Sequence, residues 1–302
     1  MALVTMKSLL ENASKYKYAV GYFEAFNMDS MVAIVNAAEK AKSPVIIGFG
    51  GSFLSSKKRD KKENIYCYGA LGLEIARRCD IPVALMLNEA DEIAEIIKGM
   101  HAGFNAVMYQ KEGEDLHETI CINKKLVQYA HYLGIDVEAE VGNLPTANIE
   151  TGIISQGQMT DPDIARNFID ETGIDALAVA IGNIHLLEGN KSSLNFDLLR
   201  QLRETIHVPL VLHGGTGIDP DELKEAIELG ISKVNIGTVI KRSYIKALKT
   251  AFLEKDFNKT DPHSIIGWGG KDDIICKGQQ AIMDVTTDFI NILGSGGMAG
   301  NF

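Results

Sequence analysis

The stretch PLVLHGGTG at residues 209–217 determines how the rest of the chain is interpreted. Its first four residues form an apolar run, which is typical of a strand buried on both faces. His213 stands where this run ends, and Gly214 and Gly215 follow it, before a helical pattern that begins near Asp219. Glycines at such a turn let backbone N–H groups approach an anion at the N-terminus of a helix. The stretch therefore predicts a buried strand, an anion-binding turn and a helix.

A second stretch, KVNIGT at residues 233–238, repeats the same plan. A strand again ends in a polar residue, Asn235, and a glycine and a hydroxyl side chain follow it. Barrels of parallel strands commonly bind phosphate at the turns after their seventh and eighth strands. Many glycine-rich turns are only turns, but two in succession favour a phosphate ligand. We predict that an anion lies against the backbone N–H groups of four residues: Gly214, Gly215, Gly237 and Thr238.

Short apolar runs alternate with helical patterns about eight times along the chain, which indicates repeated strand–helix units. The runs begin near residues 18, 44, 82, 106, 136, 176, 209 and 233. Eight such units predict an α/β fold, a (β/α)8 TIM barrel formed as a single domain by residues 1–302. One further helical pattern, at about 273–293, predicts a C-terminal helical extension. A doubly wound open sheet is the structural alternative, but it rarely has eight such even repeats.

Composition limits the classes of partner and location. The chain has 302 residues with a formal net charge of −10, which argues against binding to nucleic acid or to an anionic membrane surface. Its four cysteines show no CxxC spacing, as expected of reduced thiols. No apolar run reaches the 18 or so residues of a membrane span, and the first residues lack the apolar core of a signal peptide, so we expect neither a membrane segment nor a cleavable leader. We therefore expect a cytoplasmic enzyme that acts on a small molecule.

The polar residues at the carboxyl ends of the strands should meet at one site, because barrel active sites form there. His185 and His213 end neighbouring strands and could share a divalent ion, and Glu89 would complete a His2Glu set. The alternative is that each histidine only caps a strand. Glu140 ends the fifth strand and is a second candidate carboxylate. Lys111 offers different chemistry, since a desolvated lysine can form a Schiff base with a carbonyl substrate.

A long polar segment, residues 142–161, follows the fifth strand and has no clear helical or strand pattern. Long loops of this kind in compact domains often cover active sites. We predict that this segment is a lid over the site.

Together these residues resemble the class II, metal-dependent ketose-bisphosphate aldolases, and the similarity runs almost from end to end. The stretches VPLVLHGGTGI and SKVNIGT are very close to the phosphate-binding signatures of that family, and DVEAEVG and IGNIH are similar to its fifth and sixth strands. The resemblance implies a (β/α)8 barrel, a sugar phosphate substrate, a divalent metal, with zinc as the expected ion, and a homodimer or homotetramer. It makes His185 and His213 metal ligands. It also implies contacts with the substrate phosphate and adjacent hydroxyls from Gly214, Gly215, Asn235 and Thr238, and it matches Gly182 to the glycine of the sixth-strand turn. Asn27, at the end of the first strand, and Gly237, in the second glycine-rich turn, complete the candidate substrate-binding residues.

The departures from the family pattern fall on the reacting centre. The family's third strand ends in His-Leu-Asp-His-Gly, where the aspartate is the acid/base and the following histidine is a zinc ligand. Here the same segment reads Met-Leu-Asn-Glu-Ala, so that Asn88 replaces the aspartate and Glu89 replaces the histidine. Asn88 cannot exchange a proton as a carboxyl group does. We therefore name Asn88, Glu140 and Glu150 as the candidate catalytic residues, and His185, His213 and Glu89 as the candidate metal ligands.

Three functions are consistent with this pattern. The first is a divergent aldolase-type carbon–carbon lyase that acts on a phosphorylated ketose with the help of a metal. The second is a metal-free lyase or isomerase on the same barrel, which uses Lys111 or a carboxylate. The third is a non-catalytic relative that binds a sugar phosphate or serves as the partner subunit of an active aldolase.

Overall fold

The computed structural model describes residues 3–56, 59–61, 64–146, 151, 153–184, 192–254, 256 and 259–302. Eight parallel strands close into a barrel in which each strand pairs with its neighbours in the sequence and β1 pairs with β8. The predicted barrel is therefore confirmed. The strands are β1 (Val20–Glu24), β2 (Val45–Gly50), β3 (Val83–Ala90), β4 (Ala106–Tyr109), β5 (Asp136–Val141), β6 (Ala176–Val179), β7 (Leu210–Leu212) and β8 (Ile231–Ile236).

Helices alternate with the strands and pack around the barrel. They are α1 (Met6–Tyr16), α2 (Met28–Ala41), α3 (Ser52–Ser55), α4 (Ile65–Arg78), α5 (Ile93–Ala102), α6 (Leu116–Tyr132), α7 (Pro162–Thr172), α8 (Phe196–Thr205), α9 (Pro220–Glu228), α10 (Thr238–Leu253), α11 (Pro262–Ile265) and α12 (Ile274–Ile292). The last of these packs against α10 and α2, which confirms the C-terminal helical extension. No helix within the described ranges is long and apolar enough to cross a membrane.

Local sequence explains where the helices begin. Asp161 and Asp219 precede a proline at the first helical position, and each side chain accepts hydrogen bonds from backbone N–H groups of the first turn of α7 or α9. Such caps satisfy donors that have no partner within the helix. The helices therefore start at defined points after the strands, which fixes the turns where the site is built.

The amino-terminal helix α1 closes the lower end of the barrel. Its buried side chains, among them Met6 and Leu10, pack with inward-facing residues of the strands such as Val20 and Val211. The larger apolar cluster lies between the strands and the outer helices. Because α1 seals the amino-terminal end, the barrel interior opens to solvent at the carboxyl ends of the strands, where the predicted site residues lie.

Strand β3 differs from the prediction. The sequence indicated a strand at 82–87 followed by a turn, but β3 continues to Ala90, and its pairing with β4 shifts register between Leu87 and Ala90. Glu89 within this irregularity has a left-handed backbone, with φ of 52°. Side chains alternate along a regular strand, whereas a bulge re-aims them, so two consecutive residues can face the same side. Asn88 and Glu89 both line the cavity described below.

Candidate active site

A cavity of about 1260 Å³ opens at the carboxyl ends of the strands. Its wall brings together residues from most of the strand-to-helix turns. Those that concern the chemistry are Tyr22, Glu24, Asn88, Glu89, Gln110, Lys111, Glu140, Gly214, Asn235, Gly237, Thr238 and Lys241. The convergence expected of a barrel is therefore present, and the polar strand-end residues share one space.

His213 lies fully buried just after β7 and is surrounded by carboxylates. Its Nε2 lies 3.1 Å from Oε1 of Glu138 on β5. Burial raises the pKa of Glu138, but the nearby charge of Lys233 and the hydrogen bond from His213 reverse this and hold the pKa below its usual value. An ionised carboxylate only accepts hydrogen bonds, so Nε2 carries the hydrogen and Glu138 orients the ring.

The other ring nitrogen of His213 faces two further carboxylates. Its Nδ1 lies 3.3 Å from Oε1 of Glu89 and 3.3 Å from Oε2 of Glu140. Burial lowers the pKa of His213, but the hydrogen bond with Glu138 and the charges of Glu89 and Glu140 raise it overall. Burial raises the pKa of Glu140 to about 7, against the opposing charge of His213. Among the described residues, Oε2 of Glu140 has no hydrogen-bond partner, while its Oε1 accepts from Gln110 at 3.3 Å.

The left-handed backbone at Glu89 is the feature that places its carboxylate here. A non-glycine residue in this region is uncommon and costs about 1 kcal/mol or more. Asn88 beside it is buried, and within the described chain its Oδ1 has no hydrogen-bond partner. The sequence could not show this local strain. The consecutive Asn-Glu pair at the end of a buried strand did indicate that both side chains could belong to the site.

Lys233 is a fully buried cation inside the barrel, and sequence reasoning did not single it out. Its Nζ lies 2.9 and 3.0 Å from the two carboxylate oxygens of Glu138 and donates to Oδ1 of Asn235 at 2.7 Å. Burial lowers the pKa of Lys233, and Glu138 opposes that effect. Lysine is almost never fully buried without a partner. A lysine within an apolar strand pattern therefore indicates a buried ion pair. The Lys233–Glu138 pair links His213 to Asn235.

The two glycine-rich turns lie at the cavity wall, and their binding of an anion stays a prediction. Gly215 packs so closely on β8 that a Cβ there would lie 2.4 Å from a side-chain carbon of Val234. Gly237 precedes α10 without a side-chain cap, which leaves backbone donors of the first turn available. The carboxylate of Glu24 lies beside it, since a Cβ on Gly237 would be 2.7 Å from Oε2 of Glu24.

A second ion pair, which the sequence did not reveal, stands next to this turn. Nζ of Lys241 contacts Oε1 of Glu24 and lies 4.3 Å from the ring centroid of Phe53. Burial raises the pKa of Glu24, and Lys241 opposes the effect. A cation therefore lies at the edge of the predicted phosphate site, held by a carboxylate of the same chain.

Several predicted residues lie elsewhere or outside the described chain. Asn27 caps α2, its Oδ1 accepts from the backbone N–H of Ser30, and it is not part of the cavity wall. Gly182 packs against the backbone of residue 193, where a Cβ would lie 2.3 Å from the carbonyl oxygen. Lys111 lies at the cavity wall. His185 and Glu150 lie outside the described residues.

The segment predicted to be a lid forms part of the cavity wall. Asn143 and Gln158 exchange backbone hydrogen bonds of 3.0 and 2.7 Å, and Ser155 donates its N–H to the carbonyl of Thr146 at 3.0 Å. The two arms of the segment are therefore paired at its base. Its action as a lid stays a prediction.

Comparison with known proteins identifies the family. The family model for class II fructose-bisphosphate aldolase matches residues 4–298. The fructose-bisphosphate aldolase of Geobacillus stearothermophilus is 35% identical over 277 residues, which cover 89% of this chain and 92% of that protein. The chain belongs to the class II fructose-bisphosphate aldolase family. The predicted resemblance is therefore confirmed.

Two solved structures extend the comparison. The Escherichia coli K12 protein YdjI is 34% identical over 238 residues, 79% of this chain and 84% of its own length. The crystal structure of the YdjI aldolase covers 98% of this chain and 99% of its own, with a TM-score of 0.79 and 30% identity. The fructose-bisphosphate aldolase of Campylobacter jejuni shares the fold, with a TM-score of 0.76 at 19% identity, over 97% of this chain and 96% of its own.

Class II aldolases are metal-dependent, and the side chains around Nδ1 of His213 are the described candidates for holding a metal. The chemistry of the described donors fits a divalent ion, because one imidazole nitrogen and two carboxylates converge. Two donors about 2.1 Å from a tetrahedral ion stand roughly 3.4 Å apart, close to the separations found around Nδ1 of His213. The arrangement is nevertheless incomplete, because within the described ranges no group of three or more His, Cys, Asp or Glu side chains is placed to hold an ion.

Proposed function

We propose that the protein is a divergent aldolase-type carbon–carbon lyase that acts on a phosphorylated ketose or a related sugar phosphate. The observation that carries this proposal is the convergence of Glu89, Glu138 and Glu140 on the two ring nitrogens of His213. Two of these carboxylates, Glu89 and Glu140, line the cavity, and the glycine-rich turns also lie at its wall. Membership of the class II family supports the reaction class. The substrate would bind with its phosphate at the turns and its carbonyl near His213.

We assign proton transfer to Glu140, a residue of the cavity wall whose buried Oε2 lies 3.3 Å from Nδ1 of His213 and has no hydrogen-bond partner among the described residues. In the cleavage direction, a base removes the proton of the hydroxyl next to the bond that breaks. The bond electrons remain on the phosphorylated ketone fragment as an enediolate, an aldehyde leaves, and a proton returns to carbon. Asn88 has no titratable proton and would orient a substrate hydroxyl. Glu150 stays a second candidate for the base.

We assign the metal to His185, His213 and Glu89, with zinc as the first candidate. When it is bound, a divalent ion supplies positive charge that polarises a carbonyl oxygen. Glu138 would hold the His213 ring so that Nδ1 faces the ion, a carboxylate–histidine arrangement that is common at metal sites. Replacing a neutral imidazole by Glu89 leaves less positive charge on the ion, so we expect slower cleavage than with three histidines.

The test combines metal analysis with product analysis. Protein purified without a chelator should hold a divalent ion, and His213→Ala should lose it. A panel of phosphorylated ketoses should give an aldehyde and a ketone phosphate, whereas cleavage of fructose bisphosphate should be weak or absent. A protein that binds sugar phosphates but cleaves no member of the panel would instead support a non-catalytic relative, the function favoured by the asparagine at position 88. We further propose that the protein is a cytoplasmic homodimer or homotetramer.

A further inference from the structure

Tyr22 holds a fixed position in the barrel interior beneath the cavity. Its side chain is 2% exposed, and the ring packs directly on the backbone of Gly48, where a Cβ would lie 1.9 Å from a ring carbon. Nζ of Lys233 lies 4.8 Å from the ring centroid. The ring therefore has little freedom, and Tyr22 forms part of the cavity wall.

The hydroxyl of Tyr22 is buried, and in the described part of the chain it has no hydrogen-bond partner. Buried polar groups in folded proteins nearly always have a partner, so an orphaned group needs an explanation. A tyrosine hydroxyl usually finds a partner when it is buried. A ligand in the cavity would supply one.

Asn235, on the neighbouring strand, provides a second orphaned donor. Tyr22 and Asn235 are register partners on the neighbouring strands β1 and β8. Lys233 can only donate, so the amide atom that it contacts must be the oxygen, and the Nδ2 group of Asn235 points away from it. This nitrogen is buried without a partner among the described residues, and Asn235 also lines the cavity.

We propose that the Tyr22 hydroxyl and the Asn235 amide form a donor pair that binds one neutral oxygen of the substrate, a carbonyl or a hydroxyl. The proposal takes its class of substrate, a sugar phosphate, from the proposed function. It adds Tyr22 to the site as a residue that determines specificity. Neutral oxygen is favoured over carboxylate or phosphate because Glu24, Glu89 and Glu138 all act electrostatically on Tyr22. Burial, together with these charges, raises the pKa of Tyr22 well above its usual value, so its hydroxyl stays a donor.

The variant Tyr22→Phe tests this proposal because it removes only the hydroxyl and keeps the ring that packs on Gly48. The probes are dihydroxyacetone phosphate, the smallest phosphorylated hydroxyketone, and inorganic phosphate, both titrated by calorimetry. Tyr22→Phe should weaken binding of dihydroxyacetone phosphate about 10-fold, the loss of one buried hydrogen bond. Binding of inorganic phosphate should change less than about 2-fold, because its predicted site is at the glycine turns.

The melting temperature separates this role from a structural one. Removing an unpartnered buried hydroxyl should leave the melting temperature of Tyr22→Phe unchanged or higher. Tyr18→Phe is the matched control: the Tyr18 hydroxyl donates to Oδ1 of Asn12 at 2.9 Å, at the opposite end of the barrel. This control should lower the melting temperature and leave the binding of both probes unchanged.

Three results would overturn the proposal: equal binding of dihydroxyacetone phosphate by Tyr22→Phe and the wild type, an equal loss of both probes, or no binding of dihydroxyacetone phosphate by the wild type. None of these measurements needs turnover. If Tyr22→Phe weakens the binding of dihydroxyacetone phosphate but the protein cleaves no ketose phosphate, this inference stands and the lyase proposal fails.

Discussion

Replacing Lys233 by methionine should destabilise the protein strongly, because it leaves the Glu138 carboxylate buried without its cation. Both side chains are fully buried, and Nζ lies within 3.0 Å of both carboxylate oxygens. Breaking a buried ion pair by removing one partner typically costs about 3–5 kcal/mol. At roughly 2–3 °C for each kcal/mol in a chain of this size, the melting temperature of Lys233→Met should fall by roughly 6–15 °C.

The matched double variant gives the prediction its sharpest form. Glu138→Gln together with Lys233→Met removes both charges and retains an amide oxygen that can accept the hydrogen of His213. Replacing a buried pair by neutral groups of similar volume is often close to neutral for stability. The double variant should therefore be more stable than either single variant, with a coupling of about 3 kcal/mol in a cycle measured by urea unfolding.

Two results would refute this reasoning. One is a Lys233→Met protein as stable as the wild type, which would mean that Glu138 is neutral or solvated. The other is a double variant that loses the sum of the two single losses, which would mean that the two charges do not interact.

Three further substitutions test separate features of the fold and the site. Glu89→Gly should relieve the left-handed backbone and stabilise the chain by up to about 1 kcal/mol, while it lowers turnover. The control Lys42→Gly, at a helix end where φ is 50°, should stabilise the chain without affecting turnover. A Glu89→Gly protein that is both less stable and fully active would contradict this prediction. Burial raises the pKa of Asp136 from 3.8 to about 6. Its favourable contribution to the free energy of unfolding is therefore present below about pH 4 and is lost as the pH rises through 6. Asp136→Asn should remove that loss, which is at most about 3 kcal/mol, and an unchanged pH profile of unfolding would oppose the prediction. Gly215→Ala should lower the free energy of unfolding by about 1–3 kcal/mol and weaken phosphate binding in a titration, because its methyl would lie 2.4 Å from a β8 side chain. The control Gly270→Ala, where a Cβ meets no atom within 4 Å, should change neither stability nor phosphate binding.

Periodicity in the sequence predicted the barrel because each strand carries its own apolar run and each helix its own cap. The ends of the strands were predicted well where a polar residue follows the run directly, as at His213 and Glu140, and both of these lie at the same centre. Strand β3 was predicted too short because Asn88 and Glu89 look like the start of a turn. In the structure a bulge continues the strand through them.

The interior of the site was harder to predict because it depends on which side chains meet across the barrel. Lys233 and Tyr22 lie within apolar runs and read as ordinary strand residues until β1, β5 and β8 are brought together. Asn27 has a role that its position after the first strand did not show: its side chain caps α2, and its predicted contact with the substrate stays a prediction. Sequence spacing locates strand ends, whereas the partners of a side chain follow from the register of neighbouring strands.

The central claim is that the centre around His213 removes and returns a proton next to a substrate carbonyl. The measurement that tests it most directly is hydrogen–deuterium exchange at the hydroxymethyl carbon of dihydroxyacetone phosphate in D2O, followed by NMR. This reaction needs no aldehyde partner, so the unknown half of the substrate does not matter. The wild type should catalyse the exchange, and His213→Ala and Glu140→Gln should each slow it at least about 100-fold, the usual contribution of a general base. Exchange that is no faster than in buffer, or that survives both substitutions, would contradict the account.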